Sequence, residues 1–428
     1  MTSINLASML PETVWSDIIG GTNSSNYISA FKMKNKFSMR SDILRSGHIT
    51  QLQGVYESSS YLQDVLLYNV AAGRYKQKKL YAFGDNDYGI LGLGDKVDRE
   101  EPTYNDFFED HIIEKVSRGP GLTTLVLTNK GLYIFGISNY ERAPRTDTIK
   151  PTLVDAFDGF VIKDMFIIGL EPPMFVTDKG LWYLNNNIAT REPFFDGHNI
   201  KKIAGVSEAG ILVLSEGSDL PDGTLVANRA VKGLYVKGYN DEGELGLGDN
   251  LPRGDYTKID FFDDHIIYDF VTGYSYNLVW TNKGIYAFGQ NNKGQLGLGL
   301  GQLGVADLVN RNTPTKIDFF DPTLDSLVFH IIKKIVAGEF SSAVLTNRGL
   351  YVFGNNIGSI PTKLDYFDDK VIKDIIKNDA TLYIITGDDT VYAFTNLEEG
   401  PIKQDFYKGK KLLDILESGD HTIILTEE

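Results

Sequence analysis

The sequence predicts an all-β fold, a seven-bladed β-propeller of four-stranded antiparallel blades, with a small α-helical segment at the N-terminus. The first observation behind this prediction is a short string, Leu-Tyr-x-Phe-Gly in its fuller copies, that recurs along the 428 residues. Its seven starts are at residues 80, 132, 181, 234, 285, 350 and 391. A spacing of about fifty residues is typical of propellers and solenoids.

The second observation is that each period holds four short apolar segments. In the period that starts at Gly233 they cover 234–237, 256–262, 265–271 and 278–281. Their aromatic and β-branched residues favour short antiparallel strands. The fourth segment ends in Thr-Asn-Lys-Gly, a hairpin turn in which Asn tolerates a left-handed backbone and Gly needs no side-chain space. Four strands in each of seven periods give seven blades.

The third observation concerns the end of the chain. The last apolar segment, 421–426, is followed by no turn. We expect it to pair with a strand near residue 66 or 80, which would close the ring. A recurrent Ile-Asp-Phe-Phe-Asp string, at 259–263 and 317–321, carries two aromatic side chains that we expect to wedge between neighbouring sheets.

The chain divides into three parts by pattern. Residues 1–45 show apolar residues at helical spacing and predict a small helical hairpin. Residues 46–63 are polar and rich in Ser and Gln, which indicates a linker, and the repeat region covers 64–428. The linker is expected to end where an apolar run near Val65 begins.

The N-terminal hairpin resembles an F-box. The matching features are Leu10-Pro11-Glu12, the run from Trp15 to Ile19, and the segment from Phe31 to Phe37. The resemblance implies a Skp-type adaptor of a cullin ubiquitin ligase as partner. The residues that would contact it are Leu10, Pro11, Trp15, Ile18, Ile19, Phe31 and Phe37. The alternative is a helical cap that packs on the propeller.

The repeat string Gly-x-x-Tyr-x-Phe-Gly-x-Asn-x-x-Gly-Gln-Leu-Gly-Leu-Gly resembles the repeat of the regulator of chromosome condensation family. The match is strong at residues 80, 234 and 285, moderate at 350, and eroded at 132, 181 and 391. In that family the glycines are structural, because they let backbones approach closely. The four repeats that lose them are expected to have looser loops at the blade entrance.

The family's founding member inserts a wedge hairpin that contacts a small GTPase. Here residues 216–231 form an insertion with a Pro221-Asp222-Gly223 turn. If the insertion contacts a partner, Asp219 and Asp222 are the candidate residues. The alternative is an ordinary surface loop, since the two insertions do not match in sequence.

Composition excludes several chemistries. A formal charge of −15 argues against a broad nucleic-acid or anionic-membrane surface. The absence of cysteine rules out disulfides, zinc-thiolate sites and thiol nucleophiles. Three of the six histidines precede an Ile-Ile strand start, which indicates repeat inheritance and no metal site. The acidic pairs Asp263-Asp264 and Asp368-Asp369 are interpreted as solvated turns.

These observations predict a non-catalytic, monomeric scaffold for protein–protein interaction, with no cofactor, no metal, no membrane span and no buried ionisable cluster at the hub. We expect an intracellular protein, cytoplasmic or nuclear. The lean toward Asn, Ile, Lys and Asp resembles proteins of large DNA viruses of amoebae. The alternative function is guanine-nucleotide exchange on, or regulation of, a small GTPase. A chromatin-bound role is disfavoured by charge and by the lack of a basic tail.

Overall fold

The part of the chain described by the computed structural model is built from β-strands. The described residues are 77–118, 123–137, 147–167, 172–185, 188–196, 198–206, 210–217, 232–299, 307–321, 330–378, 380–418 and 421–428. They form 28 strands and seven short 3-10 turns, and no α-helix occurs among them. The predicted helical segment 1–45, the linker 46–63 and the first residues of the repeat region lie outside the described residues.

The strands form seven four-stranded antiparallel sheets, so the predicted propeller is confirmed. Blades 1 and 2 comprise β3 (Ile113–Arg118), β4 (Thr123–Thr128), β5 (Gly131–Ile137), β6 (Asp147–Val154), and β7 (Ile162–Phe166), β8 (Met174–Thr177), β9 (Gly180–Asn185), β10 (Ile188–Glu192). Blades 3 and 4 comprise β11 (Ile200–Val206), β12 (Gly210–Ser215), β13 (Gly233–Gly238), β14 (Arg253–Lys258), and β15 (Ile267–Thr272), β16 (Tyr276–Thr281), β17 (Gly284–Gly289), β18 (Arg311–Lys316).

The other three blades follow the same plan. Blades 5 and 6 comprise β19 (Ile332–Ala337), β20 (Ser341–Thr346), β21 (Gly349–Gly354), β22 (Gly358–Lys363), and β23 (Ile372–Lys377), β24 (Leu382–Thr386), β25 (Val391–Phe394), β26 (Ile402–Lys403). Blade 7 comprises β27 (Lys411–Ser418), β28 (His421–Glu427), β1 (Lys78–Gly84) and β2 (Arg99–Tyr104).

Blade 7 is made from both ends of the repeat region. Its strand order is β2-β1-β28-β27, so β28 pairs with β1. The prediction that segment 421–426 pairs with a strand near residue 66 or 80 is confirmed, and the strand is the one at residue 80. The ring is therefore closed by hydrogen bonds between the first and last strands of the propeller.

The described residues form seven hydrophobic core clusters, each shared by two neighbouring blades. The cluster between blades 3 and 4 contains Leu234 and Phe288, for example. The cluster between blades 7 and 1 contains Leu80 and Phe135. Because every junction buries aromatic and aliphatic side chains, the described core lies between blades, and the contacts between blades stabilise the propeller.

The sequence period and the blade differ by half a unit. The segments 234–237 and 256–262 belong to blade 3, whereas 265–271 and 278–281 belong to blade 4. The predicted second segment is also shorter than expected, because β14 ends at Lys258 and the chain then forms a 3-10 turn. Each sequence period therefore contains the junction between two blades.

The hairpin turn between the second and third strands departs from its predicted conformation. In Thr281–Gly284 the glycine has a left-handed φ of 121°, but the asparagine does not. Instead the Asn282 side chain accepts the backbone N–H of Ile266 at 2.8 Å. Thr281 donates to the Gly284 carbonyl at 3.0 Å. The turn thus ties β16 to the start of β15.

The two faces of the propeller differ in their connections. The turn face carries the hairpin turns just described and the seven 3-10 turns that enter the first strands. These are Asp106–Phe108, Asp155–Phe157, Pro193–Phe195, Asp260–Phe262, Asp318–Phe320, Asp365–Phe367 and Asp405–Tyr407. The loop face, at the opposite end of the strands, carries the glycine-rich loops between third and fourth strands, such as 239–252.

Candidate interaction surface

Six of the seven 3-10 turns carry an aromatic pair with one buried and one partly exposed ring, and the turn Asp155–Phe157 has a single ring. Phe262 is buried in the core cluster between blades 3 and 4. Its neighbour Phe261 is 44% exposed. Phe107, Phe319 and Tyr366 repeat the exposed position on other blades. The prediction that both rings wedge between sheets is therefore right for the second ring only, and the first is displayed on the turn face.

A buried histidine supports three of the exposed rings. His265 stacks on Phe261 with centroids 5.3 Å apart and meets the edge of Tyr286 at 5.1 Å. His111 and His330 make the equivalent contacts in two other junctions. Burial lowers the pKa of all three imidazoles, so they are neutral at physiological pH. Each belongs to its own turn, where it orients an aromatic side chain.

The acidic pairs of the turn face are engaged by lysines. Asp264 contacts Lys283 at 2.5 Å, and Asp263 contacts Lys258. Asp368 lies 2.5 Å from Lys363 and Asp369 lies 2.7 Å from Lys370. Hydrogen bonds from these lysines hold the pKa of Asp264 and of Asp369 below the usual range. The acidic pairs thus lie in solvated turns, as interpreted from the sequence, and each carboxylate contacts a lysine.

The glycines of the repeat string close the loop of one blade onto the next. A Cβ at Gly246 would lie 2.8 Å from the ring of Phe288, and Gly246 has a φ of 65°. Gly92 and Gly297 meet Phe135 and Phe353 in the same way, at 2.6 and 2.8 Å. Since no side chain fits at these contacts, the structural interpretation of the glycines is confirmed.

A buried asparagine braces each of these loops. The side chain of Asn240 accepts the N–H of Leu245 at 2.8 Å and donates to the carbonyl of Asp249 at 2.8 Å. Arg253 pairs with Asp249 at 2.7 Å. The same set recurs around Asn86 and Asn291. Two of the three loops are described throughout, and both are rigid platforms by these contacts.

One acidic group on the loop face escaped the sequence reasoning. Carboxylate oxygens of Asp85, Asp87 and Asp98 lie within 4.8 Å of one another. Asp98 accepts the N–H of Asn86 at 2.9 Å, and Asp85 accepts that of Asp87 at 2.8 Å. Two of the three carboxylates, those of Asp85 and Asp98, therefore cap backbone N–H groups of the loop.

One repeat that has lost the glycines does not have a looser connection. β21 ends at Gly354 and β22 begins at Gly358. The equivalent loops with glycines run from Gly238 to Arg253 and from Gly84 to Arg99. The expectation of looser loops is wrong at this blade, because the chain shortens the connection to a tight turn over residues 355–357.

The hub of the propeller carries a ring of seven charged side chains at equivalent positions. We call these residues the hub ring: Lys115, Asp164, Lys202, Asp269, Lys334, Asp374 and Asp414. Each lies on the first strand of its blade, directly after a register shift that all seven strands share. The following residue is buried in every case, from Val116 to Ile415. A β-bulge re-aims side chains in this way.

Six members of the hub ring form ion pairs between neighbouring blades. Lys202 pairs with Asp269 at 2.6 Å and Lys334 with Asp374 at 2.7 Å. Lys115 pairs with Asp164. These six side chains remain 26–43% exposed, so solvent reaches the ring. The sequence predicts no buried cluster of ionisable side chains at the hub. The hub does bring ionisable side chains together, but these six are paired and partly exposed to solvent.

Sequence reasoning missed the hub ring although a signal exists. Each first strand reads apolar, any residue, charged, apolar, as in Ile-Glu-Lys-Val at 113–116 and Ile-Tyr-Asp-Phe at 267–270. The predicted partner-binding residues are not placed by the structure. Leu10, Pro11, Trp15, Ile18, Ile19, Phe31 and Phe37, and likewise Asp219 and Asp222 of the insertion, lie outside the described residues.

Comparison with known proteins agrees with this architecture. The model of the regulator of chromosome condensation (RCC1) repeat matches residues 79–126 and 284–345. The solved structure of Prp20p from Saccharomyces cerevisiae superimposes with a TM-score of 0.61 at 16% identity, covering 83% of this chain and 93% of that one. Human WBSCR16 gives 0.62 at 15% identity, covering 82% and 100%. The closed ring of four-stranded blades makes the chain a repeat propeller.

Its repeats are RCC1-like. Among curated relatives, the ultraviolet-B receptor UVR8 of Arabidopsis thaliana is 27% identical over 250 residues, which are 56% of this chain and 54% of the relative. The human X-linked retinitis pigmentosa GTPase regulator is 37% identical over 125 residues, 29% of this chain and 11% of the relative. The chain thus spans about half or less of the length of these relatives. Within the described residues, no helix is long and apolar enough to cross a membrane.

Proposed function

We propose that this chain is a non-catalytic protein-interaction propeller that binds a partner on its turn face. The observation that carries the proposal is the set of exposed aromatic rings, Phe107, Phe261, Phe319 and Tyr366, held at equivalent positions on rigid turns. The last three lie on turns that enter successive blades. Exposed aromatic side chains on a fixed scaffold are typical anchors of protein interfaces. The aspartates around them favour a partner with a basic surface.

The experiment uses the full chain as bait in proximity labelling and affinity capture, with paired substitutions on each face. Phe261→Ser with Phe319→Ser removes two anchors of the turn face. Leu251→Ser with Val309→Ser is the matched control, because both residues are exposed on the loop face. A partner recovered by the wild type and the control, but lost from the turn-face variant, supports the proposal. Equal recovery by all three contradicts it.

Regulation of a small GTPase is the second candidate function. It is favoured by the 37% identity to a protein named as a GTPase regulator, and by a structural neighbour described as binding Gsp1p. The test is release of a fluorescent guanine nucleotide from purified small GTPases. Acceleration by the wild type, abolished by Phe261→Ser with Phe319→Ser, supports exchange activity on the turn face. If micromolar protein does not accelerate nucleotide release, exchange activity is excluded for those GTPases.

The N-terminal segment remains a separate proposal, since it lies outside the described residues. If it is an F-box, the propeller would present a captured partner to a cullin ubiquitin ligase. Co-purification with a Skp-type adaptor should then be lost in the double variant Leu10→Ala/Trp15→Ala. Recovery of the adaptor by that variant, or none by the wild type, would leave the propeller without a ligase role.

A further inference from the structure

The hub ring holds an imbalance that follows from the odd number of blades. From blade 1 to blade 6 the ring alternates lysine and aspartate, and each lysine pairs with the aspartate of the following blade. Blade 7 adds Asp414 after Asp374, so two aspartates are neighbours. Because seven is an odd number, lysine and aspartate cannot alternate all the way around the ring. The hub ring consequently has one carboxylate more than it has lysines.

Asp414 has the same local geometry as the aspartates that are paired. Each of the four accepts the backbone N–H of the next residue: Met165 for Asp164, Phe270 for Asp269, Ile375 for Asp374 and Ile415 for Asp414, at 2.8–3.0 Å. The Asp414 carboxylate is thus oriented as its equivalents are. Among the described residues, no lysine, arginine or histidine lies within ion-pair distance of it.

The charges that face Asp414 come from three other blades. Lys115 and Lys334 favour its ionised form, whereas Asp374 opposes it. Burial raises the pKa of the Asp414 carboxyl to about 6. Both lysines are already engaged with Asp164 and Asp374. At neutral pH Asp414 is therefore an ionised group whose own counter-charge the fold does not supply.

An apolar arc lies on the turn face, where the chain enters the first strands of blades 4, 5 and 6. Ile266, Ile331 and Val371 directly precede the first strands of blades 4, 5 and 6 and are 56%, 53% and 76% exposed. Their carbonyls accept equivalent hydrogen bonds from the hairpin turns, which shows that the three positions correspond. Each precedes a member of the hub ring by three residues, so the ring lies about 10 Å deeper.

The equivalent positions of the other blades are different. They hold a half-buried Ile112, Val161 at the exposure limit, and the polar Asn199 and Lys411. The arc formed by Ile266, Ile331 and Val371 is therefore one-sided. It ends at blade 6, beside the junction of Asp374 and Asp414.

We propose that the hub, entered from the turn face, binds a basic side chain of a partner protein, inserted toward Asp374 and Asp414 while flanking apolar residues rest on Ile266, Ile331 and Val371. This inference rests on the proposed interaction function and names the partner's chemistry. An arginine carried on a turn fits best, because its planar fork can donate to both carboxylates. An inorganic cation fits less well, since Asp374 already pairs with Lys334 and few oxygens remain.

The experiment measures binding of a defined probe to the full chain. The probe is a cyclic peptide that presents one arginine at a turn between two leucines, and its counterpart carries citrulline instead, which keeps the shape and removes the charge. We expect the arginine peptide to bind at least about tenfold more tightly than the citrulline peptide. We also expect Asp414→Asn to abolish that difference and Ile331→Ser to weaken both peptides.

Two controls separate binding from folding. Asp255→Asn removes an exposed carboxylate on the outer strand β14 and should leave binding unchanged. Thermal unfolding should show that Asp414→Asn is no less stable than the wild type at pH 7, so that lost binding cannot reflect unfolding. Equal affinity of the two peptides for the wild type, or undiminished arginine selectivity in Asp414→Asn, overturns the proposal. So does a thermal shift by Mg²⁺ or Ca²⁺ that depends on Asp414 while neither peptide binds.

The outcomes also separate this inference from the broader function. A cellular partner that needs the turn-face aromatic rings but binds equally to Asp414→Asn would contradict the hub site alone. Failure to recover any face-dependent partner, together with selective binding of the arginine peptide, would contradict only the broader proposal.

Discussion

Glu244 and Gln295 occupy the same position in neighbouring glycine loops, and each accepts the backbone N–H of the residue two places earlier at 2.9 Å. Gln295 also donates its amide to Gln290 at 3.2 Å. The Glu244 carboxylate has no N–H group that could donate in this way. Glu244 is 2% exposed and lies near Glu242 and Asp241. Burial, the larger cause, and these acidic neighbours raise the pKa of Glu244.

The first prediction is that Glu244→Gln stabilises the propeller at neutral pH. Because the folded pKa exceeds the unfolded one, protonation favours the folded state, and the cost of the charge develops as pH rises above about 4.5. The gain should be of order 1–3 kcal/mol at pH 8 and vanish near pH 4. Urea unfolding at both pH values measures it. The reciprocal Gln295→Glu should lose stability at pH 8, and a gain there would contradict the argument.

The second prediction concerns close approach of the glycine loops. Gly246→Ala should destabilise strongly, because the added methyl group meets the ring of Phe288 and the backbone is left-handed. Gly409→Ala is the matched control, since Gly409 has a φ of 81° with no atom near the added group. The control should lose about 1–2 kcal/mol from backbone strain alone. Equal losses in the two variants would show that the contact contributes nothing.

The third prediction separates the two rings of one turn. Phe262→Ala should cost about 3–5 kcal/mol of unfolding free energy, because it empties a buried site between blades. Phe261→Ala should cost about 1 kcal/mol, the contribution of its contacts with His265 and Tyr286. Chemical denaturation of both variants measures the difference. A larger loss of unfolding free energy in Phe261→Ala than in Phe262→Ala would contradict the assignment of Phe262 as the ring that packs between blades.

The fourth prediction is a pH dependence from the hub. Since burial raises the pKa of Asp414 to about 6, above its unfolded value of 3.8, its ionisation opposes folding. Its contribution to stability is greatest below pH 3.8 and is lost as pH rises through 6. Asp414→Asn should thus become more stable than the wild type between these limits, by on the order of 1–2 kcal/mol at pH 7. Parallel stability–pH curves for the two proteins would contradict it.

The architecture was within reach of the sequence because its signals are repeated and local. The strand patterns, such as the one around Leu234, recur in seven copies that reinforce one another, and the glycine string around Gly246 and Gly297 recurs in three. The half-unit offset was not accessible in the same way. A period has no marked start, and only pairing such as β28 with β1 fixes where a blade begins.

The candidate sites are less readable for a different reason. The hub ring joins residues far apart in sequence, and Lys202 meets Asp269 only because their blades are neighbours. Exposure of Phe261 against burial of Phe262 depends on which ring points into the junction. Two adjacent aromatic residues in a sequence do not show which ring is buried, whereas the backbone of the 3-10 turn determines it.

The pairing of β28 with β1 also sets the order of events during synthesis. The partner of β1 is the last of the described strands to be synthesised, so blade 7 forms after the other six and the first blades wait with an open edge. Nascent chains arrested before His421 should therefore be cleaved rapidly by a protease that spares the finished protein. A propeller of this design completes its ring only when β28 has been made, and its most vulnerable period is the one in which six blades exist without a seventh.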